Sequence, residues 1–130
     1  MRVLVCGSRT WTDRVPIEAM LHGLWMRTRL YTPADPEFVI IHGDAQGADR
    51  LAAAWGQWHL GGEHVKPFPA KWDKHLNRAG YIRNQQMLDE GKPDLVVAFR
   101  CDGESKGTDM MIDLARKAGV PTYVVTGGER

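Results

Sequence analysis

Three stretches of this chain combine glycine, small hydroxyl residues and fixed charge in a pattern suited to holding a phosphate. They are Gly7-Ser8-Arg9-Thr10-Trp11, His42-Gly43-Asp44-Ala45-Gln46-Gly47-Ala48-Asp49 and the longer Arg100-Cys101-Asp102-Gly103-Glu104-Ser105-Lys106-Gly107-Thr108-Asp109. Glycine lets the backbone turn tightly and come close to a ligand with no side chain in the way. Ser8, Thr108 and main-chain N–H groups can donate to phosphate oxygens, while Arg9 adds a permanent charge with forked donor geometry. Trp11 and Trp72 lie in or near these stretches and suit stacking on a base.

The flanking residues say what must position these stretches. Each follows a short apolar run, and each opens a helix-length segment. The runs are Val3–Val5, Phe38–Ile41, Leu95–Phe99 and Thr122–Val125, with a weaker one around residues 63–68. The four continuous runs are rich in β-branched residues, as strands covered on both faces of a parallel sheet should be. Between them, Ile17, Met20, Leu21 and Leu24 share one helical face, with Asp13 as cap and Pro16 in the first turn. Arg50–Leu60 and Asn77–Glu90 give two more helices, the latter with Gly91 and Pro93 behind it. Met111, Leu114, Ala115 and Ala118 repeat the helical spacing before Gly119-Val120-Pro121 ends it. Residues 67–75 read as a loop with a short turn of helix.

Strand alternating with helix in this way predicts one α/β domain with a doubly wound parallel sheet of about five strands. In such a sheet, ligands bind outside the carboxyl ends of the strands, where strand order reverses. The helices that begin there present unpaired N–H groups and partial positive charge. A single glycine-bearing turn is explained by the turn itself. Three that converge predict a pocket.

Composition narrows the partners. The chain has 130 residues, with 17 Lys and Arg against 16 Asp and Glu, a net charge of +1. A nucleic-acid binder usually carries a clear basic excess, so DNA or RNA is not the expected partner. The first residues are broken too early by Gly7 for a signal peptide, and no run is long enough to span a membrane, so a cytoplasmic location is expected. Cys6 and Cys101 then read as reduced thiols, with a redox pair as the alternative because both fall at strand ends. The five histidines show no H-E-x-x-H spacing, and no metal site is expected. His42 stands apart by lying in a junction, either as an acid or base or as a residue holding its own loop. Neither G-x-x-x-x-G-K-[ST] nor G-x-G-x-x-G is present, so a P-loop enzyme and an ordinary dinucleotide dehydrogenase are not expected.

The order of "GSRTWTD", "HGDAQGAD", "KPFPAKW", "AGYIRNQQML" and "DLVVAF…KGTDMM" resembles the SLOG superfamily, in particular its small YspA-like, YpsA-related branch. The resemblance spans nearly the whole chain. It implies a Rossmann-like fold over residues 1–130 whose glycine-rich loops bind nucleotides or nucleotide-derived ligands. It implies ligand-binding roles for Gly7, Ser8 and Arg9 in the first loop, and for His42, Gly43, Ala45, Gly47, Ala48 and Asp49 in the second. Gly107, Thr108 and Asp109 belong to the phosphate loop, and Arg83 and Asn84 match the "RN" of the third helix. Asp49 suits either a ribose hydroxyl or the cap of its own helix. Self-association is also implied; Trp25, Trp55 and Trp58, on helices, read as core or subunit packing, and in the latter role would suit a buried interface.

One departure bears on activity. Enzymatic LOG members carry P-G-G-x-G-T-x-x-E, whose glutamate helps cleave an N-glycosidic bond. Here Met111 stands at that place, and a thioether cannot transfer a proton. The expectation is therefore a non-catalytic sensing or binding module for a nucleotide-like ligand, with no further cofactor identified. The alternative is a nucleotide N-glycoside hydrolase using Asp49, Asp109, Glu104 or His42 in place of the missing acid. A DNA-processing protein similar to DprA is a third reading, and the charge balance counts against it.

Overall fold

A computed structural model describes residues 1–34, 36–103 and 105–127. Five parallel strands form the sheet: β1 (Arg2–Gly7), β2 (Val39–His42), β3 (Val65–Pro67), β4 (Leu95–Arg100) and β5 (Thr122–Thr126). Their order is β3-β2-β1-β4-β5. The chain therefore winds outward from β1 to β3, returns past β1, and winds outward again to β5. The reversal lies between β1 and β4.

Alternation along the strands divides the core in two. Val3, Val5, Phe38, Ile40, Leu95, Val97 and Phe99 face one side, under α1 (Arg14–Tyr31) and α2 (Ala48–His59). Leu4, Cys6, Val39, Ile41, Val96 and Ala98 face the other. That side is covered by α4 (Ala79–Gly91) and α5 (Lys106–Lys117) through Met87, Met111, Ile112 and Ala115. A one-residue slip in any inner strand would exchange the two sets and push polar neighbours inward, so the register is strongly specified. The structure is thus a single α/β domain with a doubly wound parallel sheet, as the periodicities predict, and Rossmann-like, as the resemblance implies.

The helix signals act where the sequence places them, with some shifts. Asp13 caps α1, its Oδ1 accepting from the Val15 N–H at 3.0 Å. Residues 72–78 form a short helix, α3 (Trp72–His75), and a 3-10 turn before α4 begins. At the end of α4 it is Lys92, not Gly91, that takes the left-handed conformation (φ 50°). Gly91 instead packs against the Ile41 side chain. The buried face of α5 is Thr108, Met111, Ile112 and Ala115, so Leu114 is only partly covered and Ala118 is exposed.

One strand departs from the expected double coverage. In β5, Tyr123 and Val124 remain exposed. The strand pairs only with β4 and lies at the sheet's edge, where α5 reaches it but covers it less fully than the central strands. Of the two packing roles open to the helix tryptophans, Trp25 and Trp55 take the core. Trp55 is buried, and Trp25 packs edge-on against it at 5.9 Å between ring centroids, so both serve the core. Trp58, at 85% exposed, is the one of the three that faces outward. Among the described residues, no helix is long and apolar enough to cross a membrane.

Candidate functional site

A cleft of about 520 Å³ opens at the reversal point. Its floor is the end of β1, and its walls come from the loop after β1, the start of α2, α4, and the start of α5. Residues predicted from sequence that line it are Gly7, Ser8, Arg9, Ala45, Asp49, Arg83, Asn84, Gly107 and Thr108. The three junctions do converge.

Ser8 ties the loops together. Its Oγ accepts from the Cys101 N–H at 2.9 Å and lies 3.2 Å from Ser105 Oγ, joining the loops after β1 and β4. Its N–H donates to Phe99 O at 2.9 Å, and its carbonyl accepts from Trp11 and Ala48. This close assembly demands two glycines. A Cβ on Gly7 would run into the Phe99 carbonyl and Ala48, and Gly47 (φ 82°) rests directly on the Ser8 carbonyl. Both are consumed by chain packing, and Gly47 does not reach the cleft.

Asp49 has a double role. Oδ2 accepts from the Gly43 N–H at 2.9 Å and the Ala45 N–H at 3.3 Å, which holds the loop after β2 in a tight curl. Among the described residues no hydrogen bond reaches Oδ1, while the residue lines the cleft. The carboxylate therefore caps the loop ahead of its helix through one oxygen. Burial pushes its pKa up to about 6, against the opposing pull of the Ala45 and Gly43 N–H groups and of Arg83.

Arg83 and Asn84 project from α4 into the same space. Arg83 Nε donates to Asn84 Oδ1 at 3.0 Å, and Nη1 donates to the Gly43 carbonyl. Asn84 Nδ2 in turn donates to the Gly107 carbonyl at 3.3 Å. Gly107 itself is different from Gly7 and Gly47. Among the described residues, nothing apart from its chain neighbours and its own helix lies within 4 Å of where its Cβ would be, and the residue lines the cleft.

Besides Gly47, five of the sequence-predicted residues take other places. Trp11 is fully buried, edge-on to Phe99 at 5.5 Å, with Nε1 donating to Asp13 O, so it cannot stack on a ligand. His42 is buried at the end of β2, and Nδ1 accepts from the Asp44 N–H at 3.0 Å. Burial lowers its pKa, which keeps the ring neutral and in the role of holding its loop. Gly43 backs the Arg83 side chain, and Ala48 is core. Asp109 is clasped by Arg100, with Nε–Oδ1 at 2.7 Å and Nη2–Oδ2 at 2.9 Å, on the outside of the loop. That pairing, rather than a ligand, explains its lowered pKa. Glu104 lies outside the described residues. Cys6 and Cys101 are free and buried, and desolvation drives the Cys6 thiol well above its ordinary pKa, which disfavours its thiolate.

Sequence reasoning missed Asn77, Gly80, Tyr81, Met87 and Met110 as lining residues. Tyr81 sits within "AGYIRN", two positions before Arg83, but half a helical turn gives no sign of which face a cleft will claim. Trp72, half exposed on α3, does line the cleft, and its indole edge packs near Gly80.

Parallel strands in the order 3-2-1-4-5 with a cleft at the reversal define a Rossmann-like α/β protein. Residues 1–75 match the YspA, cpYpsA-related SLOG family, and the chain belongs to it. It is also 35% identical to the Gene 61 protein of Mycobacterium phage D29, over 99% of this chain and 98% of that one. No solved structure matches.

Proposed function

We propose that the protein binds a nucleotide or nucleotide-derived phosphorylated small molecule in this cleft and holds it without turnover. The observation that carries the reading is the opening of α5 at Gly107, bare of side chain, directly toward a hollow edged by Arg9, Arg83, Ser8 and Thr108. A helix N-terminus, two guanidiniums and hydroxyl donors together suit a phosphate. Asp49 Oδ1 supplies an acceptor of the kind a ribose hydroxyl needs. Absence of turnover is supported by Met111, which lies wholly within the core where the enzymatic branch carries its glutamate. Mass spectrometry of small molecules released from purified protein, followed by calorimetry with nucleoside monophosphates, tests the reading. Arg83→Ala should weaken binding at least tenfold. No released ligand and no heat with any monophosphate would remove the proposal.

Hydrolysis of an N-glycosidic bond is the second reading, and one observation favours it. Of the candidate acids and bases among the described residues, Asp49 is the one that lines the cleft, and its raised pKa suits proton transfer near neutrality. Free base and ribose 5-phosphate released from a nucleoside monophosphate, and abolished by Asp49→Asn, would replace the first reading by the second. DNA processing keeps only the fold in its favour, since the net charge of +1 supplies no general attraction for a polyanion. Self-association through the outward face carrying Trp58, and a cytoplasmic location, complete the proposal. A monomer mass in light scattering would remove the former.

A further inference from the structure

A second hollow, of about 360 Å³, adjoins the cleft on the side of the loop after β2. The two share Arg9, Ala45, Trp72 and Arg83 in their walls, so these four side chains form the seam between them. The outer hollow adds Gln46, Arg50, Asp44 and the short apolar step Pro69-Ala70. We infer that the ligand is a diphosphate with an organic group on each side, a nucleoside diphosphate joined to a sugar or to a second nucleoside, lying across this seam. The inference rests on the nucleotide-binding reading above and names its ligand class.

Charge placement is the first support. Arg9 and Arg83 face both hollows and sense each other electrostatically, Arg9 being one of the charges acting on Arg83. Two guanidiniums held near one another repel unless an anion lies between them, and a phosphoanhydride brings negative charge on neighbouring groups. A single phosphate in the inner hollow would leave Arg50 and the outer face of Arg83 without that use. Arg50 is held only by long contacts to one exposed residue, Nε 3.7 Å from Asp44 Oδ1 and Nη2 donating to the Asp44 carbonyl at 3.5 Å.

Pre-setting of the seam is the second support. Gly43 has no side chain because a Cβ there would meet the Arg83 guanidinium at 2.8 Å from Cζ. Its carbonyl and the Asn84 amide oxygen then hold Arg83 from two directions. The guanidinium is fixed at the boundary rather than free to fold into either hollow.

The chemistry of the outer hollow is the third. Gln46 and Asp44 offer an amide and a carboxylate to hydroxyl groups, beside the half-exposed face of Trp72. A polar pair next to an aromatic surface is what a sugar ring requires, polar at its rim and apolar on its face.

Calorimetry distinguishes the possibilities, using the mono- and diphosphates of adenosine, guanosine and uridine against ADP-ribose, GDP-mannose, UDP-glucose and NAD. At least one two-sided diphosphate should bind tenfold or more tightly than its own mono- and diphosphate. Arg50→Ala should narrow that ratio to less than threefold, and the Gln46 and Ala70 amide resonances should move with the two-sided ligand and stay in place with the monophosphate. Ratios within threefold in the native protein would overturn the inference and leave simple nucleotide binding standing. Failure of every probe to bind would overturn both.

Discussion

The wall of the cleft built after β1 and β2 and the wall built at the start of α5 both depend on glycine, for opposite reasons. At Gly7 and Gly47 the missing side chain makes room for the protein itself, for the Phe99 and Ser8 carbonyls and for Ala48. At Gly107 nothing of the described protein comes near apart from its chain neighbours and its own helix. The first wall is therefore a packed joint, and the second is a surface left bare. A glycine-rich strand-to-helix loop can be either, and only the neighbours decide which.

Substitution separates the two walls. The largest effect belongs to Gly47→Ala, where an L-residue at φ 82° adds backbone strain to a collision with the Ser8 carbonyl. The cost should be about 2–5 kcal/mol of folding stability, read by urea denaturation. Near-native stability of that variant would erase the distinction.

Asp49→Asn comes next and sharpens the picture of the packed wall. An amide oxygen can still accept from Gly43 and Ala45, so the loop should hold. The native carboxyl keeps its proton up to about pH 6 in the folded chain, against 3.8 as the ordinary value. The folded state thus binds the proton more tightly, and the contribution of this group to stability falls as pH rises from about 4 to about 6. The variant should match the native protein near pH 4 and exceed it at pH 7 by on the order of 2 kcal/mol. A difference that does not change between those pH values would show that the carboxyl is not desolvated.

Gly107→Ala should act in the reverse sense on the bare wall. Alanine is the better helix former, so stability should rise by a few tenths of a kcal/mol to about 1 kcal/mol. Affinity for a phosphorylated ligand should fall about tenfold, because the new methyl stands where the ligand approaches. A variant that is more stable and binds as well as before would make Gly107 an ordinary turn residue. Trp72→Ala is the mildest change, within about 0.5 kcal/mol of native stability, as is usual for a half-exposed side chain away from the core. It should show in ligand affinity alone.

The fold was legible because hydrophobic burial leaves a periodic record. Val3 and Val5 against Leu4 and Cys6, or Ile40 against Ile41, can be read as two buried faces before any coordinates exist. The loops that bear Ser8, Asp49 and Gly107 were legible as well, since they occur at strand ends and open helices. Their partners were not. The clasp of Asp109 by Arg100 and the burial of Trp11 on Phe99 depend on contacts between distant segments. So does the part of Arg83, which spans from α4 to a carbonyl forty residues earlier in the chain. The exposed β5 was hidden for another reason. Thr122-Tyr123-Val124-Val125 has the composition of an inner strand, and its edge position comes from topology alone.

The Ser8 bridge between the loops after β1 and β4 has a kinetic consequence. With its hydroxyl already engaged by Cys101 N–H, and Asn84 already on the Gly107 carbonyl, the loops around the cleft are tied together by the chain's own contacts, so under the proposed function the site is pre-formed before a ligand arrives. Little conformational entropy is then lost on capture. Association should follow one exponential whose rate grows in proportion to ligand concentration, with no plateau from a slow rearrangement.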